Sequence, residues 1–270
     1  MNNLNNLRLA VLIDADNAPR DILKPLMEEI AVYGTPMIKR IYGDWTSTNV
    51  GGWKTSLLEN AVTPMQQYAY TTGKNSTDSA MIIDAMDVLY AGKTDGFVLV
   101  SSDSDFTPLA IRLRESGMYV IGVGEHKTPE PFIKACDKFI YVEVIRERLK
   151  NAEDEQKPKN GAKTAAKPSD KAAKNASAKA QEKPASKNVP HKTISLIADS
   201  IADLADDDGF CALGALGNLL AKKQPDFDPR SFGSAKLSTM LRNLPRFELE
   251  VRPGSDPNSK PMYVKDKQAQ

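Results

Sequence analysis

The stretch Phe97-Val98-Leu99-Val100-Ser101-Ser102-Asp103-Ser104-Asp105-Phe106 joins four apolar residues to two aspartates that one serine separates. A short apolar run with β-branched valines is typical of a strand buried on both faces of a parallel sheet. Open α/β sheets bind their ligands beyond the carboxyl ends of such strands. The stretch therefore predicts a central strand that delivers Asp103 and Asp105 to the ligand-binding edge of a sheet.

A second segment of the same form lies near the start of the chain, Leu9-Ala10-Val11-Leu12-Ile13-Asp14-Ala15-Asp16-Asn17. If the two strands are neighbours, their Asp-x-Asp ends bring three or four carboxylates into one crevice, and such a site should hold cations. Side chains two residues apart point the same way only while a strand continues, and here the chain turns. We therefore expect Asp14 and Asp103 to be the inward ligands, with Asp105 a candidate cap for the following helix.

Strand and helix patterns alternate over the first 150 residues. Apolar runs predict strands at 8–13, 36–42, 62–70, 97–103, 119–123 and 139–144. Helical spacing of apolar residues predicts helices at 22–30, 53–60, 78–90, 106–116 and 130–136. Strands that alternate with short helices form βαβ units. The predicted fold class is therefore α/β, a Rossmann-like and mostly parallel sheet of five or six strands with helices on both faces.

Residues 151–190 differ in composition from the rest of the chain. They contain nine lysines and five acidic residues, a net charge of +4, and almost no large apolar side chains. Such a segment cannot bury enough apolar surface to offset its ordering entropy. We predict a disordered Lys/Ala/Pro-rich linker between domains at 1–150 and 191–270. Its charge can attract nucleic acid weakly, but a solvated tether is the simpler interpretation.

The segment 191–270 has the pattern of a small α+β domain. Apolar spacing predicts three helices, near 194–204, 213–220 and 232–244, followed by a strand at 247–251 and a returning strand at 261–264. This is the plan of a winged helix-turn-helix. With its apolar residues inward, the third helix presents Lys236, Thr239, Arg242 and Asn243 on its outer face. Such side chains contact phosphates without reading sequence, although an ordinary solvated helix face has the same composition.

The bulk composition excludes several classes of protein. The net charge of +1 indicates no particular partner. Cys136 and Cys211 match no zinc or redox spacing and are typical of reduced core thiols, so we expect a cytoplasmic protein. No segment approaches the roughly 18 apolar residues of a membrane span, and the start lacks the basic region of a signal peptide. We therefore expect no membrane partner.

The predicted crevice contains the ligands of a hard metal ion. Asp78 adds a third carboxylate at the start of a helix, although the helix dipole alone also favours an acidic residue there. Aspartates without paired histidine or cysteine favour Mg²⁺ or Mn²⁺ over zinc. Divalent ions held this way suit in-line displacement at phosphorus. Asp84 lies about 240° further round the same helix, so we rank it lower as a ligand.

Several other residues are candidates for contact with a substrate. Asn17 and Ser102 can orient water or a phosphate oxygen, and Lys74 can stabilise negative charge that develops on the phosphoryl group. Trp45 follows a predicted strand and can stack on an unpaired base, with packing at the rim of the core as the alternative. His126 also follows a strand, but as the lone histidine of its domain it has little support as a functional residue.

Three motifs resemble those of the NYN domain family, relatives of the PIN-type and flap nucleases. They are Ile13-Asp14-Ala15-Asp16-Asn17, Lys74-x3-Asp78 continuing to Ile83-Asp84-Ala85, and Val100-Ser101-Ser102-Asp103-Ser104-Asp105-Phe106-x-Pro108-Leu109. The resemblance covers roughly residues 7–145 and implies a metal-dependent ribonuclease. Matched motif by motif, it gives the metal carboxylates as Asp14, Asp78 and Asp103, and the accompanying site positions as Asn17 and Asp105. Ser102 departs from the pattern, since the family often has glycine there.

The C-terminal part resembles the LOTUS (OST-HTH) domain, a winged-helix module associated with RNA binding or protein contacts. The matching segments are Gly209–Leu213, Pro225–Gly233 and Lys236–Leu241. The resemblance implies a single-stranded or structured RNA as partner. Lys236 and Arg242, on the outer face of the third helix, are our candidates for contact with it. It also allows a protein partner.

Three hypotheses for function follow from these residues. The first is a Mg²⁺- or Mn²⁺-dependent ribonuclease with an RNA-binding module and the catalytic residues Asp14, Asn17, Asp78, Asp103 and Asp105. The second is a non-catalytic RNA-binding scaffold, which has no need of three principal aspartates. The third is a phosphatase of the haloacid-dehalogenase type, suggested by Asp14-x-Asp16. That chemistry expects threonine or valine where Ala18 stands, so we disfavour it.

Overall fold

The structure, a computed structural model, describes residues 6–46, 52–68, 76–156, 189–252 and 261–269. The first part of the chain forms a sheet whose strands are β1 (Leu7–Asp14), β2 (Gly34–Gly43), β3 (Thr63–Gln66), β4 (Gly96–Val100), β5 (Tyr119–Gly124) and β6 (Lys138–Tyr141). Their order is β3-β2-β1-β4-β5-β6, and every neighbouring pair is parallel. The predicted α/β fold class is confirmed.

Helices cover both faces of this sheet. They are α1 (Leu23–Ile30), α2 (Lys54–Asn60), α3 (Ser76–Tyr90), α4 (Thr107–Glu115), α5 (Glu130–Ala135) and α6 (Val142–Gln156). Alternate residues of β1 enter two separate cores: Leu9, Val11 and Ile13 pack towards α1, α2 and α6, while Ala10 and Leu12 pack towards α3, α4 and α5. The central strands read as continuous apolar runs because both of their faces are buried.

The sheet order reverses between β1 and β4. From β1 the chain proceeds to β2 on one side, and from β4 it proceeds to β5 on the other. A ligand crevice forms where the order of parallel strands reverses in this way. Ile13 pairs with Val100 at the ends of the two strands, so Asp14 and the segment 101–103 leave the sheet side by side. The two Asp-x-Asp strands are therefore neighbours, which meets the condition that the sequence analysis set for a shared crevice.

Some predicted boundaries were wrong. The strand expected at 139–144 ends at Tyr141, and Val142 begins α6, which continues to Gln156 and so into the start of the predicted linker. Apolar residues at 142, 144 and 145 fit a helix packed on α1 as well as a strand, so the sequence pattern is ambiguous there. The strand expected at 62–70 is limited to Thr63–Gln66 among the described residues. The linker positions 157–188 lie outside the described residues.

The C-terminal part is a small α+β domain. Its helices are α7 (His191–Ala202), α8 (Leu213–Lys223) and α9 (Leu237–Arg242), and its strands are β7 (Phe210–Ala212), β8 (Phe247–Val251) and β9 (Met262–Asp266). The strands form an antiparallel sheet in the order β7-β9-β8. None of the helices in the described ranges combines the length and the apolar character that crossing a bilayer requires.

Two details of this domain differ from the sequence prediction. The third helix, expected at 232–244, is shorter because Phe232 ends a separate 3-10 turn, Pro229–Phe232. Gly233 follows that turn with φ of +73°, a conformation that glycine adopts without strain. This conformation ends the 3-10 turn before α9 begins at Leu237. The strand β7 has three residues and was not predicted.

The two domains contact each other through Pro225–Arg230, a segment that we call the docking segment. The N–H of Phe139 in β6 donates to the carbonyl oxygen of Pro225 at 3.0 Å, and Lys138 Nζ donates to the carbonyl oxygen of Phe227 at 3.0 Å. The docking segment thus covers part of the outer edge of β6. Covering an edge strand removes a template for pairing with another chain.

The buried position of β4 can be tested through Leu99, which has no exposed surface. We expect Leu99→Ala to lower the free energy of unfolding by about 2–5 kcal/mol because it leaves a cavity in the core. Leu58 on α2 is 74% exposed, so Leu58→Ala should cost at most about 0.5 kcal/mol. Urea denaturation of both variants measures the difference. Equal losses would contradict the placement of β4 at the centre of the fold.

Candidate metal centre

Three carboxylates meet beyond the carboxyl end of β4. Asp78 lies in the first turn of α3, and Asp103 and Asp105 lie in the loop that follows β4. One carboxylate oxygen from each residue lies within 4.8 Å of the others. Asp78 and Asp103 are half-buried, whereas Asp105 is exposed. An arrangement open on one side suits Mg²⁺, which keeps several waters and takes further ligands from substrate phosphates.

The local conformation of the β4 loop explains how two aspartates share this centre. Asp103 has extended backbone angles and caps the 3-10 turn Ser104–Phe106, since its Oδ1 accepts a hydrogen bond from the N–H of Asp105 at 2.9 Å. Phe106 is fully buried and anchors the turn. The capping residue is thus Asp103, and the expectation that Asp105 provides the cap was wrong. Asp105 instead joins Asp78 and Asp103.

Asp14 lies behind the three-carboxylate group and is only 1% exposed. Its Oδ2 accepts hydrogen bonds from Asn17 Nδ2 at 2.7 Å and from Ser101 Oγ at 2.9 Å, and its Oδ1 accepts one from the N–H of Asp16 at 3.0 Å. A carboxylate held in this way is poorly placed to act as an exposed nucleophile, which agrees with disfavouring the phosphatase. A direct role for Asp14 as an ion ligand stays a prediction.

Ser101 was missed by the sequence analysis. Its buried hydroxyl donates to Asp14 Oδ2 and accepts from the N–H of Asp103 at 3.1 Å, so one side chain joins the end of β1 to the loop after β4. A hydroxyl can do this because it is both a donor and an acceptor. The signal in the sequence was its position, since Ser101 is the first polar residue after a run buried on both faces.

Negative charge accumulates at this centre. Burial, followed by the charges of Asp14 and Asp103, raises the pKa of Asp78 to about 6. Burial and the charges of Asp14 and Asp44 also raise the pKa of Asp16 above its ordinary value. A divalent cation relieves this repulsion, and carboxylate oxygens are the donors that Mg²⁺ and Mn²⁺ prefer. The residues present therefore fit such an ion.

Three predicted substrate contacts have other neighbours or fall outside the description. Ser102 is buried, and its hydroxyl accepts a hydrogen bond from the N–H of Glu125 at 2.9 Å. Trp45 is half-buried against the core, and its indole N–H donates to the carbonyl oxygen of Met65 at 3.0 Å. Lys74 lies outside the described residues. Direct contact of these side chains with a substrate stays a prediction.

The two residues ranked lower by the sequence analysis are not part of the three-carboxylate group. Asp84 is paired with Arg40 and accepts a hydrogen bond from the hydroxyl of Tyr42, so it faces β2. The ring of His126 stacks on that of Tyr141, with 4.2 Å between the ring centroids. Both placements agree with the lower rank.

The outer face of α9 is polar and partly basic, as predicted. Met240 and Leu241 are buried, whereas the four residues predicted to face outward are exposed, namely Lys236, Thr239, Arg242 and Asn243. The face is available to a phosphate backbone in the arrangement of domains that the structure shows. Contact of Lys236 and Arg242 with RNA stays a prediction.

Comparison with known families agrees with this geometry. Residues 8–143 match the model of the NYN domain. The chain belongs to the NYN domain family. Residues 185–259 match the model of the OST-HTH/LOTUS domain, so the predicted arrangement of an N-terminal NYN domain and a C-terminal OST-HTH domain is confirmed.

Several solved structures are similar to parts of this chain. A protein of unknown function, VPA0982 from Vibrio parahaemolyticus RIMD 2210633, is 17% identical, and the match covers 53% of this chain and 96% of that one with a TM-score of 0.45. An uncharacterised protein from locus NE0665 of Nitrosomonas europaea is 29% identical over 38% of this chain and 95% of that one, with a TM-score of 0.29. A Chromobacterium violaceum protein segment is 26% identical over 30% of this chain and 86% of that one, with a TM-score of 0.26. The search of curated proteins gives no significant match.

The repulsion at the metal centre of the NYN domain predicts the effect of Asp78→Asn. In EDTA at pH 7.5 the variant should be more stable than the unmodified protein, because it removes a charge whose pKa is raised to about 6. Since solvent screens this half-exposed group, we expect a gain of only about 1 kcal/mol, or roughly 3 °C. Added Mn²⁺ should raise the melting temperature of the unmodified protein by binding the folded state, and this rise should be much smaller in the variant. Differential scanning fluorimetry measures both effects.

Asp87→Asn is the matched control, since Asp87 is exposed and lies nine residues further along α3. It should change neither the stability in EDTA nor the response to Mn²⁺. An equal Mn²⁺ response in Asp78→Asn and in the unmodified protein would show that Asp78 holds no ion.

Proposed function

We propose that this NYN protein is a Mg²⁺- or Mn²⁺-dependent ribonuclease whose OST-HTH domain binds RNA. The observation that supports the proposal most directly is the meeting of Asp78, Asp103 and Asp105 where the order of the parallel strands reverses. The family match supports a nuclease role for the first domain, and the second match supports contact with RNA. We retain 1–150 and 191–270 as the two functional units of the proposal, with a cytoplasmic location as part of it.

Asp78, Asp103 and Asp105 would hold the divalent ion, with Asp14 directly behind them. A bound ion supplies a Lewis acid that activates water and offsets the charge developing on phosphodiester oxygens. In the hydrolysis, an oxygen of water forms a bond to phosphorus, and the bond to the leaving ribose oxygen breaks as that oxygen gains a proton. The hydrogen bonds from Ser101 and Asn17 hold the Asp14 carboxylate in place before substrate arrives.

The exposed face of α9 supports a role in holding the substrate. Lys236 and Arg242 can contact phosphate oxygens, which gives affinity without reading the base sequence. Substrate choice on this proposal depends on the form of the RNA more than on its sequence. This face would also serve a non-catalytic RNA-binding scaffold, which is the second candidate. A scaffold gains nothing from a repulsive carboxylate group beside its sheet, and for that reason we place it second.

A cleavage assay separates the two candidates. We expect single-stranded RNA to be cut with Mg²⁺ or Mn²⁺, with no cleavage in EDTA and little cleavage of DNA. Asp103→Asn should lower the rate on the order of 100-fold or more, the scale seen when a group that stabilises transition-state charge is removed. Asp87→Asn is again the matched control and should retain the full rate. RNA binding without cleavage under any metal condition would favour the scaffold.

The contribution of α9 can be measured through salt dependence. The double variant Lys236→Ala/Arg242→Ala should bind RNA more weakly, and the slope of log K against log[salt] should become shallower by about 1 to 2. Lys54→Ala on α2 removes an exposed charge from the NYN domain and serves as the control. Filter binding at several salt concentrations gives the slopes. An unchanged slope in the double variant would exclude α9 as the phosphate-binding face.

A further inference from the structure

One anchor between the two domains is a partly buried ion pair centred on Glu29 of α1, whose own side chain is 5% exposed. Arg230 of the docking segment donates to both of its oxygens, at 2.7 Å to Oε1 and 2.9 Å to Oε2. Arg148 of α6 donates to Oε2 at 2.9 Å. Burial opposes the charge of Glu29, but the two arginines outweigh it and hold the pKa of Glu29 below its ordinary value.

The paired hydrogen bonds of Arg230 restrict orientation as well as distance. A guanidinium group that meets a carboxylate through two parallel N–H donors fixes the plane of both groups. Asp228, in the same docking segment, accepts a hydrogen bond from this guanidinium at 2.7 Å and so holds the Arg230 side chain in position. A buried ion pair contributes little to net stability, because desolvation offsets the attraction. Its effect here is to define where the OST-HTH domain sits.

A second anchor lies at the carboxyl end of β6. The hydroxyl of Tyr141 donates to Asp226 Oδ2 of the docking segment at 2.7 Å. Two backbone carbonyl oxygens of the segment also accept hydrogen bonds from β6, as described above. The two anchors are on different elements, α1 and β6. If the OST-HTH domain rotated or shifted about one anchor, the hydrogen bonds of the other would break. A contact of this kind holds two domains in one orientation.

The second anchor is linked to the metal centre by a short series of contacts. The ring of Tyr141 stacks on His126, in the loop after β5. In the same loop the N–H of Glu125 donates to Ser102 Oγ, and Ser102 directly precedes Asp103. The docking segment therefore contacts elements that also support the loop carrying Asp103. The docking segment thus runs along the outer side of β6, with the Tyr141 anchor at the carboxyl end of that strand and the Glu29 anchor near the other end of the sheet.

We infer that the docking segment fixes the OST-HTH domain on the NYN domain, so that the exposed face of α9 and the metal centre keep one constant separation. A domain that swings freely on a tether has no need of two specific anchors. The consequence for cleavage rests on the proposed nuclease function. RNA held on α9 is then cut at a constant offset from the segment that α9 binds.

The test loosens both anchors and compares a matched control. Arg230→Gln/Tyr141→Phe removes the paired N–H donors to Glu29 and the hydroxyl donor to Asp226, while the aromatic ring that remains at position 141 can still stack on His126. Arg148→Gln removes a donor to the same Glu29 carboxylate, but from within the NYN domain, so it should leave the docking intact. If the first variant does not fold, as judged by circular dichroism, Arg230→Lys/Tyr141→Phe replaces it, since lysine keeps the positive charge but cannot make the paired contact with Glu29.

Spin labels on the full-length chain measure the separation of the domains. Cysteines introduced at Asp87 on α3 and at Asn243 beside α9 are exposed, whereas the native Cys136 and Cys211 are buried. Double electron–electron resonance should give a narrow distance distribution for the unmodified docking segment and for Arg148→Gln. The loosened variant should give a distribution at least roughly twice as wide, as expected for domains free to move. A wide distribution with the unmodified segment, or a narrow one in the loosened variant, overturns the inference.

End-labelled RNA then tests the consequence for cleavage. With Mn²⁺, the unmodified protein should cut an RNA that carries one structured element, such as a single hairpin, at one main position, and the loosened variant should cut it at scattered positions. A single unchanged position in a variant whose distance distribution is wide would overturn the constant offset. If the unmodified protein cuts no RNA, the nuclease proposal fails, while the distance distribution still decides the docking.

Discussion

Repulsion between carboxylates, enforced by the order of the strands, is the constraint on which the metal centre depends. β1 and β4 are neighbours whose connections leave on opposite sides, so Asp14 and Asp103 must emerge together. α3 adds Asp78 to the same crevice, where its pKa rises to about 6. The carboxylates can stay this close only if the rest of the fold is stable enough to offset the free energy of their repulsion, or if a cation neutralises their charge.

The stability that holds these charges in place comes from the sheet beneath them. Every residue from Leu9 to Leu12 is fully buried, and so is every residue from Phe97 to Leu99. Each strand contributes side chains to both cores, so bending either strand away from the crevice would expose apolar surface on two faces at once. The buried hydroxyl of Ser101 then fixes the two strand ends to each other. The geometry of the site is thus set by apolar packing and adjusted by hydrogen bonds.

The sequence predicts best where one physical signal dominates. The runs before Asp14 and Asp103 are apolar without interruption, which leaves a buried parallel strand as the simplest interpretation. The βαβ pattern does not by itself make these two strands neighbours, and the structure supplies that by reversing the strand order between β1 and β4. The segment around Val142 was mispredicted because its apolar residues fit a strand and a helix equally well, and packing against α1 decided the outcome. Ser101 was missed for a different reason. Its position directly after the buried run is a local signal, but its partner Asp14 is 87 residues away, so the sequence does not show what its hydroxyl contacts.

Contacts between domains are still harder to predict, because Glu29 and Arg230 are 201 residues apart and each has the sequence context of an ordinary surface residue. The physical reason for their pairing is visible only in three dimensions. The docking segment of the OST-HTH domain covers the edge of β6, and in this position its Arg230 guanidinium reaches the Glu29 carboxylate. A buried pair of this kind is a poor source of stability but a good determinant of orientation. Orientation is what a binding module must supply if it is to present a flexible chain such as RNA to a site fixed at the end of a sheet.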